Sequence, residues 1–183
     1  MTTTDEELLG RHERREPGAL DELVRRHVGR VRSMMFTMVL DHADADDLTQ
    51  EVFCRALAGL PGLRARARFA GWLDAIAVNA AQRFLASRAR ARSRLAPVLA
   101  DPPAAARDAP PARLLGGELD DAVAAALAAL SPKLRAAIVL TAVRGRGVVE
   151  AAAACGCTLP TLYWRVHRAR AILGRKLERF LKP

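Results

Sequence analysis

Asp46, Asp47, Gln50 and Glu51 crowd into the segment DADADDLTQEVFCRAL, Asp44 to Leu57. Carboxylates this close could serve as an acid–base pair, but no histidine, pocket partner or metal-like cluster accompanies them. On a helical wheel Leu48, Val52, Phe53, Ala56 and Leu57 take one half, and Asp46, Asp47, Gln50 and Glu51 take the other. The segment therefore predicts a helix that buries one side and turns a compact acidic face outward. That face either meets a partner or is simply solvated, with carboxylates favourably placed near a helix N-terminus.

The stretch LRARARFAGWLDAIAVNAAQRFLASRARARSR, Leu63 to Arg94, carries the opposite charge. A basic loop with Arg64, Arg66 and Arg68 leads into an amphipathic helix that Arg88, Arg90, Arg92 and Arg94 continue. Alternate arginines wrap around a helix, which suits neutralising phosphates more than reading bases. Asn79 brings an uncharged donor–acceptor edge to this surface, and such an amide can read a base, particularly an unstacked one. Trp72 and Phe84 could stack on bases, although their spacing favours core packing.

Near the C-terminus, GVVEAAAACGCTLPTLYWRVHRARAILGRK places a short alanine-rich helix before a break at Cys155-Gly156-Cys157. A second, arginine-studded helix follows behind Thr158, the layout of a helix-turn-helix that enters a DNA major groove. Thr158 is the expected cap, and Pro160 sits in the first turn, where a missing N–H costs little. Leu162, Val166, Ala169, Leu173 and Leu177 form the expected buried stripe. Thr161, Trp164, Arg165 and Arg168 share the opposite side, with Tyr163 on a flank. The residues near the helix N-terminus would approach base edges, while Arg168, Arg170, Arg175 and Lys176 would meet phosphate. Cys155 and Cys157 read as small core residues rather than zinc ligands, since no second ligand cluster is near them.

The elements that must position these residues are helices. Hydrophobic residues make up 51% of the 183-residue chain but aromatics only 4%, so alanine and leucine carry the cores and strand-like alternation is missing. The expected fold is all-α, two small helical domains joined by a Pro/Ala-rich linker. Residues 1–95 form the first, 96–117 the linker and 118–183 the second; five of the ten prolines fall in the linker. In the first domain Leu20, Leu23, Val24, Val31, Met35 and Met38 recur at helical spacing, and Asp41–Asp44 breaks that helix. A later helix carries Trp72, Leu73, Ile76, Ala77, Ala80 and Phe84 on one face. Helices near 118–130 and 132–144 open the second domain, with Ser131-Pro132 as cap and first helical residue.

Charge is segregated along the chain. Residues 1–60 hold 12 acids and 8 bases (net −4), residues 61–95 one acid and 8 arginines (net +7), and residues 96–183 hold 7 acids and 13 bases (net +6). An acidic front and two basic segments suggest two kinds of partner, one of them polyanionic. The three cysteines are too few for a disulfide framework. The polar, acidic N-terminus is no signal peptide, and no apolar run approaches a membrane span, so a cytoplasmic protein without membrane insertion is expected.

In this order the constellations resemble the extracytoplasmic-function (ECF) sigma factors of bacterial RNA polymerase, from Leu20 to Leu181. DLTQEVF (Asp47–Phe53) is similar to the family's polymerase-binding helix in region 2. RFAGWLDAIAVNAAQRFL resembles the segment that opens and reads the promoter −10 element. LSPKLRAAIVL and GCTLPTLYWRVHRAR resemble region 4. The resemblance implies that Asp46, Asp47, Gln50 and Glu51 face the clamp helices of the polymerase's largest subunit. It implies that Asn79 and the loop Leu63–Arg68 hold a base flipped from the melted non-template strand; Arg83 and Arg88 are expected, with Arg64, Arg66 and Arg68, to contact DNA in the −10 region. Thr161, Tyr163, Trp164, Arg165 and Arg168 would read the −35 element as duplex.

The chain departs from the family pattern at Arg83, where Asp or Asn is usual, at the extra arginines of the loop, and at Gly145–Ala152, where G-x-S-x-x-E-I-A is replaced by smaller residues. The resemblance further implies a non-enzymatic subunit without cofactor or metal, whose partners are core RNA polymerase, promoter DNA and an anti-sigma factor. A stand-alone helix-turn-helix regulator would account for residues 118–183 only, and an adaptor that binds polymerase without reading DNA would account for the acidic helix only.

Overall fold

The computed structural model describes residues 3–95 and 118–181, which are helices and turns with no strand among them. The linker expected at 96–117 lies outside the described residues. The acidic N-terminal stretch, expected only to be polar, folds as α1 (Asp5–Glu13). Thr4 and Glu7 close a reciprocal capping box, with Thr4 Oγ1 accepting from Glu7 N at 3.2 Å and Glu7 Oε2 from Thr4 N at 2.7 Å. Leu8 and Leu9 go into the core.

Helix α2 (Ala19–Val39) ends where Leu40 turns left-handed at φ 61°, its N–H returning to the Phe36 carbonyl at 2.7 Å. That single residue reverses the chain, so the break expected over Asp41–Asp44 contracts. Asp41 caps α3 (His42–Gly59) by accepting from Asp44 N at 2.9 Å. One 3₁₀ turn at Leu60–Gly62 and another at Arg66–Arg68 lead into α4 (Phe69–Leu95). Helices α2, α3 and α4 pack around Val31, Met34, Met35, Met38, Leu48, Val52, Leu73, Ala77 and Val78, all essentially inaccessible. Burying the valine, leucine and methionine side chains of this set contributes about 1.5–3 kcal/mol each. Gly59 lets α3 approach α4, since a Cβ there would lie 3.0 Å from Cζ2 of Trp72.

The C-terminal half begins with α5 (Glu118–Ala128). Helix α6 (Pro132–Ile138) follows Ser131 and widens into one π turn at Val139–Val143. Next come α7 (Val148–Ala154), α8 (Leu159–Lys176) and the single-turn α9 (Glu178–Leu181). Between α7 and α8 the chain makes a Schellman closure. Gly156 N–H donates to Ala153 O at 3.1 Å and Cys157 N–H to Ala152 O at 3.0 Å, with Gly156 at φ 57°. This explains the C-x-C spacing: the cysteines flank the left-handed glycine and pack partly buried against the core.

The two halves are not separate beads. Helix α4 packs on α6 and α7, and the buried cluster runs without interruption from Leu8 to Ala169. Arg135 of α6 is 6% exposed and reaches across, donating to Met38 O at 2.5 Å, Ala128 O at 3.2 Å and Leu130 O at 3.3 Å. Its charge thus meets the carbonyl ends of α2 and α5, where helix dipoles favour a cation. Burial lowers its pKa to about 10, which leaves it charged at neutral pH.

Candidate polymerase and nucleic-acid interfaces

On α3 the buried side is Ala45, Leu48, Thr49, Val52, Phe53 and Ala56. The turn of the helix places Asp46, Asp47 and Gln50 in solvent and leaves Glu51 half-buried. Leu57, expected on the buried half, is 39% exposed and lines a groove with Leu9, His12 and Leu63 instead. It lacks full cover because α3 stops two residues later.

The four polar groups of this face are not equivalent. Asp46 is paired with Arg32 of α2, whose guanidinium holds its carboxyl below the usual range. Glu51 pairs with Arg55 one turn on, at 2.5 Å. Asp47 and Gln50 make no such pair among the described residues and are the free part of the face.

The basic surface follows from α4. Asn79 and Arg83 are exposed one turn apart and line one cleft with Trp72, Ile76 and Arg55, and a second with Gln82, Ala86, Ser131, Pro132 and Lys133. The second, of about 570 Å³, is walled on its far side by the start of α6. The loop Leu63–Arg68 lies elsewhere: Leu63 and Arg66 line the groove against α1, and Arg66 pairs with Glu13. The two clefts beside Asn79 thus include no residue of this loop. Asn79 stands ten residues into α4, about 15 Å along the axis from the loop at 1.5 Å per residue. Arg64 and Arg68 project into solvent without ion pairs among the described residues. Arg88 is paired with Asp44 at 2.6 Å, and Arg90, Arg92 and Arg94 are exposed. Trp72 and Phe84 are half-buried, as core packing requires.

On α8 the stripe expected inside is buried at Leu162 and Ala169 and half-buried at Val166, Leu173 and Leu177. Tyr163 and Trp164 are 58% and 62% exposed, and Arg168 is exposed beside them. Arg165 differs from expectation. Its position borders the buried stripe, so the guanidinium folds back toward Cys155 and its Nη1 is buried without a partner. Thr158 occupies the cap position in extended backbone, yet its hydroxyl meets the hydroxyl of Thr161 at 2.9 Å instead of a backbone N–H. Burial beside Cys157 pushes the Cys155 thiol up to about 11, which removes it from thiolate chemistry at neutral pH. Among the described residues no group of three or more His, Cys, Asp or Glu side chains is arranged to hold a metal ion.

Where the halves meet, a charged cluster forms that no local sequence pattern predicts. Asp74 of α4 is 1% exposed; it accepts from Arg146 Nε at 2.6 Å and Arg144 Nη2 at 3.4 Å, and Arg30 Nη2 lies 3.7 Å away as an ion pair beyond hydrogen-bond reach.

Residues 23–91 match the family model for Sigma-70 region 2, and residues 120–173 match that for Sigma-70 region 4. The chain belongs to the ECF sigma factors of RNA polymerase. It is 35% identical over 155 residues to the ECF RNA polymerase sigma factor SigE of Mycolicibacterium smegmatis, covering 82% of this chain and 58% of that protein. It is 37% identical over 141 residues to SigC of Mycobacterium tuberculosis, covering 73% and 70%. A solved structure of the sigma factor RpoE with the anti-sigma factor NepR from Bartonella quintana superposes with a TM-score of 0.68 at 27% identity, covering 88% and 98%.

The all-α architecture and the sigma-factor reading thus stand. A stand-alone regulator is set aside, because the region 2 match covers the half that such a protein would leave without a role. In sigma-factor terms α2–α4 belong to region 2 and α5–α8 to region 4. No described helix is long and apolar enough to cross a membrane.

Proposed function

We propose that this sigma factor docks on core RNA polymerase through Asp46, Asp47, Gln50 and Glu51, with Asp47 and Gln50 as the free centre of that surface. Region 4 positions the complex on −35 duplex through Tyr163, Trp164 and Arg168, with Thr161 and Arg165 shaping the start of the recognition helix. Region 2 captures a base of the melted −10 strand at Asn79 and Arg83. Arg64, Arg68 and the exposed arginines at the end of α4 neutralise phosphates, and Arg66 and Arg88 join them when Glu13 and Asp44 release them. Opening a duplex costs a few kcal/mol per flipped base, which capture and phosphate contacts must offset.

The observation that carries this reading is the pairing, in one chain, of an exposed acidic helix face with two arginine-rich surfaces, set within the two Sigma-70 matches. The protein performs no chemistry of its own, works in the cytoplasm and is held inactive by an anti-sigma factor, as the NepR complex of its structural relative suggests.

Reconstitution tests it. Purified protein mixed with core polymerase should yield transcripts with a fixed start from the DNA upstream of its own gene. Duplex binding with no transcripts from any upstream fragment would sink the proposal.

A further inference from the structure

We infer that Asp74 is an internal stand-in for a DNA phosphate: it occupies Arg144 and Arg146 while region 4 is folded on region 2, and releases them to the duplex backbone when the halves part. The inference rests on the sigma-factor reading above for its use of region 4 on duplex.

Three features of the geometry carry it. First, Arg144 and Arg146 immediately precede α7, the first helix of the helix-turn-helix. In helix-turn-helix complexes the first helix crosses the phosphate backbone. Guanidinium groups at its N-terminal approach are therefore placed for phosphate. In the folded-together molecule they are only 13% and 19% exposed, because they are turned inward onto α4.

Second, the cluster is poor in acceptors. One carboxylate faces three guanidinium groups, and Arg30 Nε and Nη2, Arg144 Nε and Arg146 Nη2 are buried without hydrogen-bond partners. The nearest other acid is Glu150, whose carboxylate lies 3.8 Å from Arg146 Nη1 and is largely in solvent. A phosphodiester offers these donors oxygens that Asp74 cannot. Arg30 belongs to region 2 and stays with Asp74 after separation, so the carboxylate is not left unpaired.

Third, the contact is incompatible with simultaneous use of both DNA surfaces. The −35 and −10 elements lie about 25 base pairs apart, roughly 85 Å of duplex at about 3.4 Å per step. A 2.6 Å bond from Arg146 to Asp74 joins the two regions directly. The same closed arrangement sets Ser131–Lys133 against Asn79 and Arg83. Engaging a promoter therefore requires Asp74 to give up both arginines.

The test uses the full chain and a 30-bp duplex of arbitrary sequence, since backbone binding needs no promoter and no polymerase. Asp74→Asn keeps the shape and removes the charge. Free Asp74→Asn should expand by several Å in radius of gyration from about 16 Å, the value for a compact chain of this length, and bind the duplex about tenfold more tightly than the wild type. The double variant Arg144→Gln/Arg146→Gln should expand likewise but bind more weakly than the wild type, with a salt slope lower by about 2 than that of Asp74→Asn. An Asp74→Asn protein that stays compact with unchanged duplex affinity overturns the inference. So does an arginine double variant that binds as tightly and with the same salt slope as Asp74→Asn. If circular dichroism shows Asp74→Asn unfolded, the double variant assembled with core polymerase decides: its salt slope should drop by about 2 against wild type, and an unchanged slope overturns the inference. Transcription by the wild-type protein is scored separately, so failure of the sigma-factor reading is not confused with failure of this one.

Discussion

Arg135 of region 4 donates through Nη1 to the backbone carbonyl of Met38 in region 2, 2.5 Å away. One region thus supplies the C-terminal cap of a helix in the other. The same guanidinium also serves Ala128 O and Leu130 O, so a single buried cation satisfies carbonyls at the ends of two helices. Arg135→Met fills the space but leaves those carbonyls unpaired. Each buried unpaired acceptor costs about 1–3 kcal/mol, partly offset by no longer burying a charge. A net loss of about 2–4 kcal/mol is expected in urea unfolding, with Arg135→Lys intermediate. An Arg135→Met midpoint equal to wild type would mean that water satisfies these carbonyls.

The polymerase-docking face makes a graded prediction. Asp47 and Gln50 are free, whereas Asp46 is engaged by Arg32 and Glu51 by Arg55. Asp47→Ala and Gln50→Ala should each weaken association with core polymerase about tenfold, or ~1.4 kcal/mol. Asp46→Ala should cost less, because its carboxylate must first leave Arg32. Arg32→Ala, which frees Asp46, should tighten binding modestly. Anisotropy titration of labelled protein with core polymerase reads all four, and equal losses at Asp46 and Asp47 would contradict the ranking.

His27 gives a pH dependence. Its ring is 4% exposed, lies edge-on to Phe69 at 5.3 Å, and contacts Asp5 Oδ2 through Nε2 at 2.7 Å. Desolvation lowers its pKa below 6.5, against the opposing pull of Asp5, and Arg30 and Arg26 act in the same direction as burial. The folded state then binds the proton less readily than the unfolded chain. Its contribution is fully present above pH 6.5 and is lost as pH falls through the folded value. Unfolding free energy measured by urea should decline as pH falls below 6.5, and His27→Gln should flatten that decline. An identical slope in the variant would assign the acid sensitivity to other groups.

Much of this architecture is legible in the sequence because periodicity and caps are local. The stripe Leu48–Val52–Ala56, the Ser131-Pro132 start and the helix-turn-helix around Gly156 need only neighbours in sequence. Helix α1 is legible too: Thr4-x-x-Glu7 is a capping-box pattern ahead of Leu8-Leu9, although the charge of the stretch masks it in a reading by composition. What stays hidden depends on partners far apart in the chain. Nothing near Asp74 announces Arg144 and Arg146, some 70 residues away. Nothing near Asp46 announces Arg32. The inward fold of Arg165 is likewise invisible, since its place at the border of the buried stripe is decided by how α8 rotates against α7.

The turn of the helix-turn-helix is a test of backbone geometry. Gly156 is left-handed at φ 57°, and a Cβ added there would meet no atom within 4 Å. Gly156→Ala therefore costs only the left-handed penalty, about 1–2 kcal/mol. The melting temperature should fall by a few degrees, and duplex binding should weaken as α8 loses its fixed angle to α7. A variant as stable as wild type would show that the turn relaxes to another conformation.

Trp164 separates recognition from stability. It is 62% exposed and, like Tyr163 and Arg168, faces away from the stripe that buries Leu162 and Ala169. Removing an exposed side chain leaves stability within about 0.5 kcal/mol. Trp164→Ala should therefore unfold at the wild-type urea concentration while the assembled polymerase loses roughly tenfold in affinity for its own −35 sequence, about 1.4 kcal/mol. Arg168→Ala should weaken all duplexes alike and lower the salt slope by about 1, as a phosphate contact does. If Trp164→Ala also weakened every duplex equally, its ring would be a backbone contact and the promoter preference would reside in Tyr163 and Thr161.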